Sequence, residues 1–142
     1  MTPEQIARVR STWALALAAG DDLTVGFYDR LFEIAPRLKP LFAHANPAAQ
    51  SDKLARTLEI FVRSLDDLPA LADDLRALGR RHEGYGVEPA HYSLVGDALV
   101  WTIAKAVGRS FAERDREAWT AAYAVLAAAM QHGSVAATPA LS

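Results

Sequence analysis

Residues 78–87, "LGRRHEGYGV", place a histidine shortly before a Gly-Tyr-Gly segment. Glycine readily adopts the left-handed backbone conformation that closes a helix, so Gly84 and Gly86 predict the end of a helix here. His82 lies four residues after Leu78, which is the spacing that puts two side chains on one face of a helix. Because Leu78 belongs to an apolar face, the pattern predicts that His82 points toward the interior of the protein.

The rest of the chain shows the same helical spacing of apolar residues, interrupted by glycine and proline. No segment alternates apolar and polar residues as a half-buried strand does, so the chain is predicted to be all-α. We predict helices over about residues 2–20, 22–34, 49–66, 70–83, 88–108 and 113–132, with a short helical turn at 36–42 and a loop at 43–49.

Residues at the helix ends support this outline. Thr2, Pro3 and Gln5 form the pattern of a capping box at the start of the first helix. We expect Asp21 or Asp22 to cap the second helix, and a residue within 110–113 to cap the sixth. The spacing predicts that the inward face of the first helix consists of Ile6, Val9, Trp13 and Leu17.

The composition excludes several classes of site. The chain has 142 residues and no cysteine, which rules out disulfide bonds, thiolate metal sites and C-x-x-C-H haem attachment. Its 15 basic and 17 acidic residues are dispersed and give a net charge of −2, which argues against a nucleic-acid or anionic-membrane surface. No apolar run approaches the roughly 20 residues of a membrane span, and the first residues lack the apolar stretch of a signal peptide. We expect a single cytoplasmic domain.

Four polar side chains lie on or beside the apolar faces of their helices, namely Tyr28, Gln50, His82 and Tyr92. Burying such a group without a partner costs about 1–3 kcal/mol, so each needs one. One interpretation is structural: the histidine donates to a backbone carbonyl, and the tyrosines bury their rings while their hydroxyls stay in water. In the other interpretation, the four groups converge on one internal ligand. Both remain open at this point.

A haem group would satisfy the second interpretation, because its iron needs an axial ligand and an apolar pocket. With no cysteine, and methionine only at positions 1 and 130, an imidazole is the natural axial ligand. His82 is the only histidine on a strong apolar face, since His44 is in a predicted loop, His91 is beside a helix start and His132 is near the C-terminus. Spacing alone does not decide between a structural and a ligating histidine.

The chain resembles the bacterial single-domain globins related to flavohaemoglobins over about residues 4–132. The motifs that carry the resemblance are "FYDRLFEIAPRLKPLF" (27–42), "QSDKLARTLEIFV" (50–62), "LGRRHEGYGVEPAHYSLVGDAL" (78–99) and "AWTAAYAVL" (118–126). The resemblance implies a globin fold, a three-over-three helical sandwich around haem with a short or absent D helix. It also implies a globin domain over residues 1–132, and we expect a disordered tail at 133–142.

The resemblance also implies roles for individual residues around a non-covalent haem b. His82 would be the proximal iron ligand, oriented by a hydrogen bond from its other ring nitrogen to the Leu78 carbonyl. Tyr28 and Gln50 would donate hydrogen bonds to the gas on the distal side. The remaining residues expected to contact or support the haem are Phe42, Lys53, Leu54, Val87, Tyr92 and Val95, with Lys53 placed for a propionate.

The function implied by the resemblance is reversible binding of oxygen and other diatomic gases (NO and CO) at a pentacoordinate iron, since no distal histidine matches. The alternative is nitric-oxide dioxygenation with an external reductase as partner. One feature departs from the family pattern: no acid occurs from Ala122 to Ser134, where the resemblance places a glutamate at about Ser134. We therefore expect a less electron-rich His82 and weaker peroxidase-like chemistry.

Overall fold

The computed structural model describes residues 1–20, 22–43 and 45–132. Within these ranges it contains six α-helices, Pro3–Ala18 (α1), Leu23–Ile34 (α2), Pro47–Arg63 (α3), Ala72–Gly84 (α4), Pro89–Val107 (α5) and Glu113–His132 (α6). Three 3₁₀ helices connect them, Pro36–Phe42, Leu68–Leu71 and Gly108–Ser110. The prediction of an all-α chain is confirmed. The expected tail at 133–142 and the position of His44 lie outside the described residues.

Two of the predicted helix starts are present as capping interactions. At the start of α1, the Gln5 N–H donates to the Thr2 hydroxyl oxygen (3.1 Å), and the Thr2 N–H donates to the Gln5 side-chain oxygen (2.9 Å). At the start of α2, the Asp22 carboxylate accepts from the backbone N–H of Thr24 at 3.0 Å. Each cap satisfies an amide that has no partner within its helix, which is why these boundaries were predictable from local sequence.

Other boundaries differ from the prediction. α3 begins at Pro47 and not at residue 49, because the Asn46 side chain caps the helix by accepting from the Ala49 N–H at 3.0 Å. It also ends at Arg63, three residues before the predicted position 66. Residues 70 and 71 belong to a 3₁₀ helix that contains Pro69, so α4 starts only at Ala72.

The last helix begins at Glu113 as predicted, but a different side chain serves its start. Ser110 belongs to a 3₁₀ helix, and the side chain that serves the start of α6 is the buried Asp115. Its carboxylate accepts from the Ala112 N–H at 2.8 Å and pairs with the Arg8 guanidinium of α1 at 3.0 Å. A partner from a distant helix therefore allows Asp115 to be buried as an anion.

The six α-helices form two layers of three. α1, α3 and α4 lie over α2, α5 and α6, and the layers meet where α1 contacts α5 and α6, α4 contacts α6, and α3 contacts α2. Trp13 and Trp119 join α1 to α6, with ring centroids 6.2 Å apart. Leu17, which was predicted on the inward face of α1, is 51% exposed, because the last turn of that helix turns Ala16 and not Leu17 into the core. The predicted three-over-three sandwich is confirmed.

Among the helices of the described residues, none combines the length and the apolar character that crossing a membrane requires. The expected cytoplasmic location and the domain boundary at residue 132 stay predictions from the sequence.

Candidate functional site

His82 lies in the last turn of α4 with its imidazole half-buried. Its Nδ1 is 2.8 Å from the carbonyl oxygen of Leu78, one turn earlier. A carbonyl can only accept, so Nδ1 carries the proton and Nε2 keeps the free lone pair. Burial lowers the pKa of His82 and the charge of Arg81 adds to this, while the Leu78 hydrogen bond opposes it. His82 is therefore a neutral imidazole at pH 7 whose Nε2 is able to ligate.

The turn that follows α4 contacts the 3₁₀ helix Pro36–Phe42. The Val87 N–H donates to the His82 carbonyl oxygen at 3.0 Å, and Gly86 has a φ of +92°. A Cβ built on Gly86 would stand 3.4 Å from the Leu41 side chain, so the two segments are in close contact. The turn therefore places the C-terminal end of α4 next to Leu41, the residue that precedes Phe42.

Tyr28 lies on α2 inside a cluster of phenylalanines. Its ring centroid is 5.0 Å from that of Phe27, 5.6 Å from that of Phe42 and 6.2 Å from that of Phe32. Phe32 and Phe42 are themselves 5.3 Å apart. The predicted residues Tyr28 and Phe42 are thus brought together, and Phe32 joins them although the sequence did not single it out as a site residue.

Gln50, Lys53 and Leu54 lie together near the start of α3. Burial raises the pKa of the Tyr28 hydroxyl, and the nearby Gln50 side chain offsets part of that rise. Among the described residues no hydrogen bond within 3.5 Å joins Tyr28 to Gln50, so the approach is loose and both groups can donate to a third. Lys53 is exposed, whereas Leu54 packs against the core.

Tyr92 and Val95 lie on α5. Tyr92 belongs to the core, and burial raises the pKa of its hydroxyl, with the negative charge of Glu83 raising it further and Arg76 opposing. Its backbone carbonyl accepts from the Tyr123 hydroxyl of α6 at 2.6 Å. Tyr92 is therefore held on the side of the site where α4, α5 and α6 approach one another. The position at about Ser134, where the resemblance places an acid, lies outside the described residues.

A set of apolar side chains packs on the core while staying only partly buried. This set comprises Tyr28, Phe32, Leu41, Phe42, Leu54, Leu78, Val87 and Val95. Large apolar side chains that remain half-covered leave an apolar surface for a ligand to cover. A flat, mostly apolar group that needs one axial nitrogen has the matching chemistry, and haem is such a group. The residues present therefore fit haem.

Several contributors to the site escaped prediction because their contacts are distant in sequence. Leu41 reaches the Gly86 turn, and Tyr123 reaches Tyr92 across 31 residues. Arg76 and Gly79 bring α4 against α6. One signal existed in the sequence: a glycine within the body of a predicted helix, here Gly79, often marks the close approach of another backbone.

Comparison with known proteins agrees with this geometry. The globin family model matches residues 25–130. The chain is 34% identical over 129 residues to a flavohemoprotein of Vibrio cholerae. The aligned region covers 89% of this chain and 33% of the relative. This chain therefore spans about a third of that relative's length.

Two solved structures share the fold. A bacterial globin from Campylobacter jejuni superposes with a TM-score of 0.80 at 25% identity, covering 93% of this chain and 95% of its own. An engineered carbene transferase of Rhodothermus marinus, a proposed nitric oxide dioxygenase, superposes with a TM-score of 0.80 at 30% identity, covering 92% and 91%. With the family match over most of its length, the chain belongs to the globin family, a family of haem-binding proteins.

Proposed function

We propose that this globin binds haem b non-covalently with His82 as the axial ligand, and that it binds oxygen and other diatomic gases reversibly. When bound, haem would supply an iron that coordinates such a gas. The observation that carries the proposal is the state of His82. The Leu78 carbonyl accepts from Nδ1 at 2.8 Å, and burial lowers the imidazole pKa. Nε2 therefore offers an oriented lone pair to the iron at physiological pH.

Tyr28 and Gln50 would control the gas on the distal side. Oxygen held in such a site would carry partial negative charge, and the phenol O–H and the amide N–H would stabilise that charge by hydrogen bonding. Two donors of this kind predict slow release of oxygen. Burial keeps the Tyr28 hydroxyl protonated, because it raises the pKa of that group above its ordinary value.

The other candidate residues would hold the haem itself. Phe42, Leu54, Val87 and Val95 offer apolar side chains that pack against the core but remain partly exposed. Lys53, which is exposed on α3, would pair with a propionate carboxylate. Tyr92 would support the side of the haem that carries His82, from within the core.

An absorption spectrum of the protein supplied with haem tests the proposal. We expect a Soret band in the wild type, its loss or weakening in His82→Ala, and recovery when imidazole is added to that variant. His132→Ala is the matched control, because His132 is exposed at the far end of α6 and should leave the band unchanged. Absence of a Soret band in the haem-supplied wild type would refute the proposal.

Nitric-oxide dioxygenation is the second candidate, and two similarities favour it: the flavohemoprotein of Vibrio cholerae and the proposed nitric oxide dioxygenase of Rhodothermus marinus. In this reaction oxygen, nitric oxide and one electron yield nitrate. The electron must come from a reductase, which we propose to be a separate partner. Adding nitric oxide to the oxygenated protein should give nitrate, and turnover should continue only with a reductant present. Oxidation that stops after one equivalent despite an added reductase would exclude the enzyme.

A further inference from the structure

α4 and α6 touch backbone to backbone at Gly79. A Cβ built on Gly79 would lie 1.8 Å from the carbonyl oxygen of Met130, 2.5 Å from its carbonyl carbon and 2.9 Å from its Cα. Real Cβ atoms essentially never approach a heavy atom within 3.0 Å, so only glycine permits this crossing. Glycine inside a helix is about 0.5–1 kcal/mol less stable than alanine, so local helix propensity does not explain its presence.

Arg76 fastens the same contact from one turn earlier. Its Nη1 donates to the carbonyl oxygens of Met130 (3.1 Å) and Gln131 (2.7 Å), in the last described turn of α6. The Glu83 carboxylate is farther from this guanidinium, at 3.9 Å. The Met130 carbonyl thus accepts a hydrogen bond from Arg76 and packs against the Cα of Gly79. These two contacts hold α4 against α6.

The contact reaches His82 through a single peptide unit. The carbonyl of Leu78 and the nitrogen of Gly79 belong to the same planar peptide. That Leu78 carbonyl accepts the hydrogen bond from Nδ1 of His82 at 2.8 Å. The backbone of α6 therefore bears directly on the peptide that orients the imidazole.

We propose that Gly79 and Arg76 are positioning residues for His82: by fixing α4 against α6 they hold the Leu78 carbonyl in line with the imidazole. The inference rests on the proposed role of His82 as haem ligand. A hydrogen bond to the second nitrogen of a ligating histidine fixes its tautomer and raises its basicity. The contact between α4 and α6 therefore sets how strongly His82 donates electron density to the iron.

This role has particular weight in this chain. Ser134 stands where the resemblance places a glutamate that would polarise the histidine. Within the described part of the chain, the Leu78 carbonyl is the hydrogen-bonding partner of the His82 ring. The strength of that one bond then depends on a helix crossing.

The test compares two variants with two matched controls on the same helix. Gly79→Ala introduces the clashing Cβ, and Arg76→Gln removes the cation that holds both carbonyls. Gly84→Ala is the control for the first, since a Cβ there meets nothing within 4 Å. Arg80→Gln is the control for the second, because Arg80 is an exposed arginine one turn further along α4.

The readout is the iron–histidine stretching band in the resonance Raman spectrum of the haem-loaded ferrous protein. We expect a lower frequency in Gly79→Ala and Arg76→Gln, no shift in either control, and partial return toward the wild-type frequency in Arg76→Lys. A wild-type frequency in both test variants overturns the inference, and so does an equal shift in the controls. If Gly79→Ala does not fold, Arg76→Gln and Arg76→Lys still decide it.

A second measurement separates this inference from the proposed function. The ¹⁵N NMR signals of the His82 ring in the full-length protein without haem report which nitrogen carries the proton. We expect protonated Nδ1 in the wild type and the controls, and a mixture of tautomers in the test variants. If the wild type fails to bind haem, the proposed function fails, while an unchanged tautomer in the test variants refutes the positioning role independently.

Discussion

Replacing Tyr28 by phenylalanine should accelerate the release of oxygen without disturbing the pocket. The Tyr28 ring packs among Phe27, Phe32 and Phe42 at centroid distances of 5.0–6.2 Å. Tyr28→Phe keeps all of those ring contacts and removes only the hydroxyl. The change therefore isolates the hydrogen bond that this hydroxyl would donate to the gas.

The magnitude follows from the environment of the hydroxyl. Burial is the main influence on Tyr28, and it raises the pKa of the hydroxyl above its ordinary value of 10.0. A hydrogen bond to a charge-bearing acceptor contributes about 1.5–3 kcal/mol, which corresponds to roughly 10- to 150-fold faster dissociation when it is lost. Gln50→Leu removes the second donor to the same acceptor and should therefore also accelerate dissociation.

Stopped-flow mixing of the oxygenated protein with excess carbon monoxide measures the dissociation rate. Tyr85→Phe is the control, because Tyr85 is 63% exposed beyond the end of α4 and should leave the rate unchanged. Because burial raises the pKa of Tyr28, any acceleration of release caused by ionisation of this hydroxyl should begin at a higher pH than the titration of an ordinary tyrosine. A Tyr28→Phe rate within about twofold of the wild type would show that the hydroxyl does not hold the gas, against an expectation of at least tenfold.

Three further predictions concern the scaffold. Thr12→Val should lower the free energy of unfolding by about 1–3 kcal/mol, because the buried Trp119 Nε1–H donates to the Thr12 hydroxyl at 2.7 Å. Chemical denaturation measures this change, and Thr12→Ser, which keeps the hydroxyl, should lose less stability. Equal losses in the two variants would exclude the hydrogen bond as the cause. Gly86→Ala should cost about 1–2 kcal/mol, since Gly86 has a φ of +92° that an L side chain rarely adopts; an unchanged melting temperature would contradict this. Hydrogen bonds from the Thr24 hydroxyl and from the backbone N–H groups of Val25 and Thr24 lower the pKa of Asp22 below 3.8. The Asp22 carboxylate therefore stabilises the fold fully above pH 3.8, and this stabilisation is lost as the pH falls through the lower folded-state pKa. The melting temperatures of the wild type and Asp22→Asn should converge on acidification, and a constant difference would refute the assignment.

The local sequence was sufficient for most of the secondary structure. The capping box of Thr2 and Gln5 joins residues three apart, and the Asp22 cap acts on the next turn. The hydrogen bond from His82 to Leu78 is equally local, because it spans one turn of one helix. Interactions of this range lie within a single helix, so the pattern of residues predicts that they form.

The helix starts for which the position or the capping side chain was predicted wrongly involve competing local or distant partners. Asn46 takes over the cap of α3 and lengthens that helix at its start. Asp115 serves the start of α6 because Arg8, which is 107 residues away, neutralises its charge in the interior. Neither choice follows from helical spacing, since several residues near each boundary are able to cap.

By itself, the sequence determined that this chain folds as helices, that His82 lies on the same helix face as Leu78, and that the chain has no cysteine. The tertiary structure decided how α4 lies on α6, through the contacts of Gly79 and Arg76 with the Met130 carbonyl. The reason is that helix formation and capping depend on hydrogen bonds between residues that are close in sequence. The packing of one backbone on another depends on the shapes of segments far apart in the chain, and it exists only after folding.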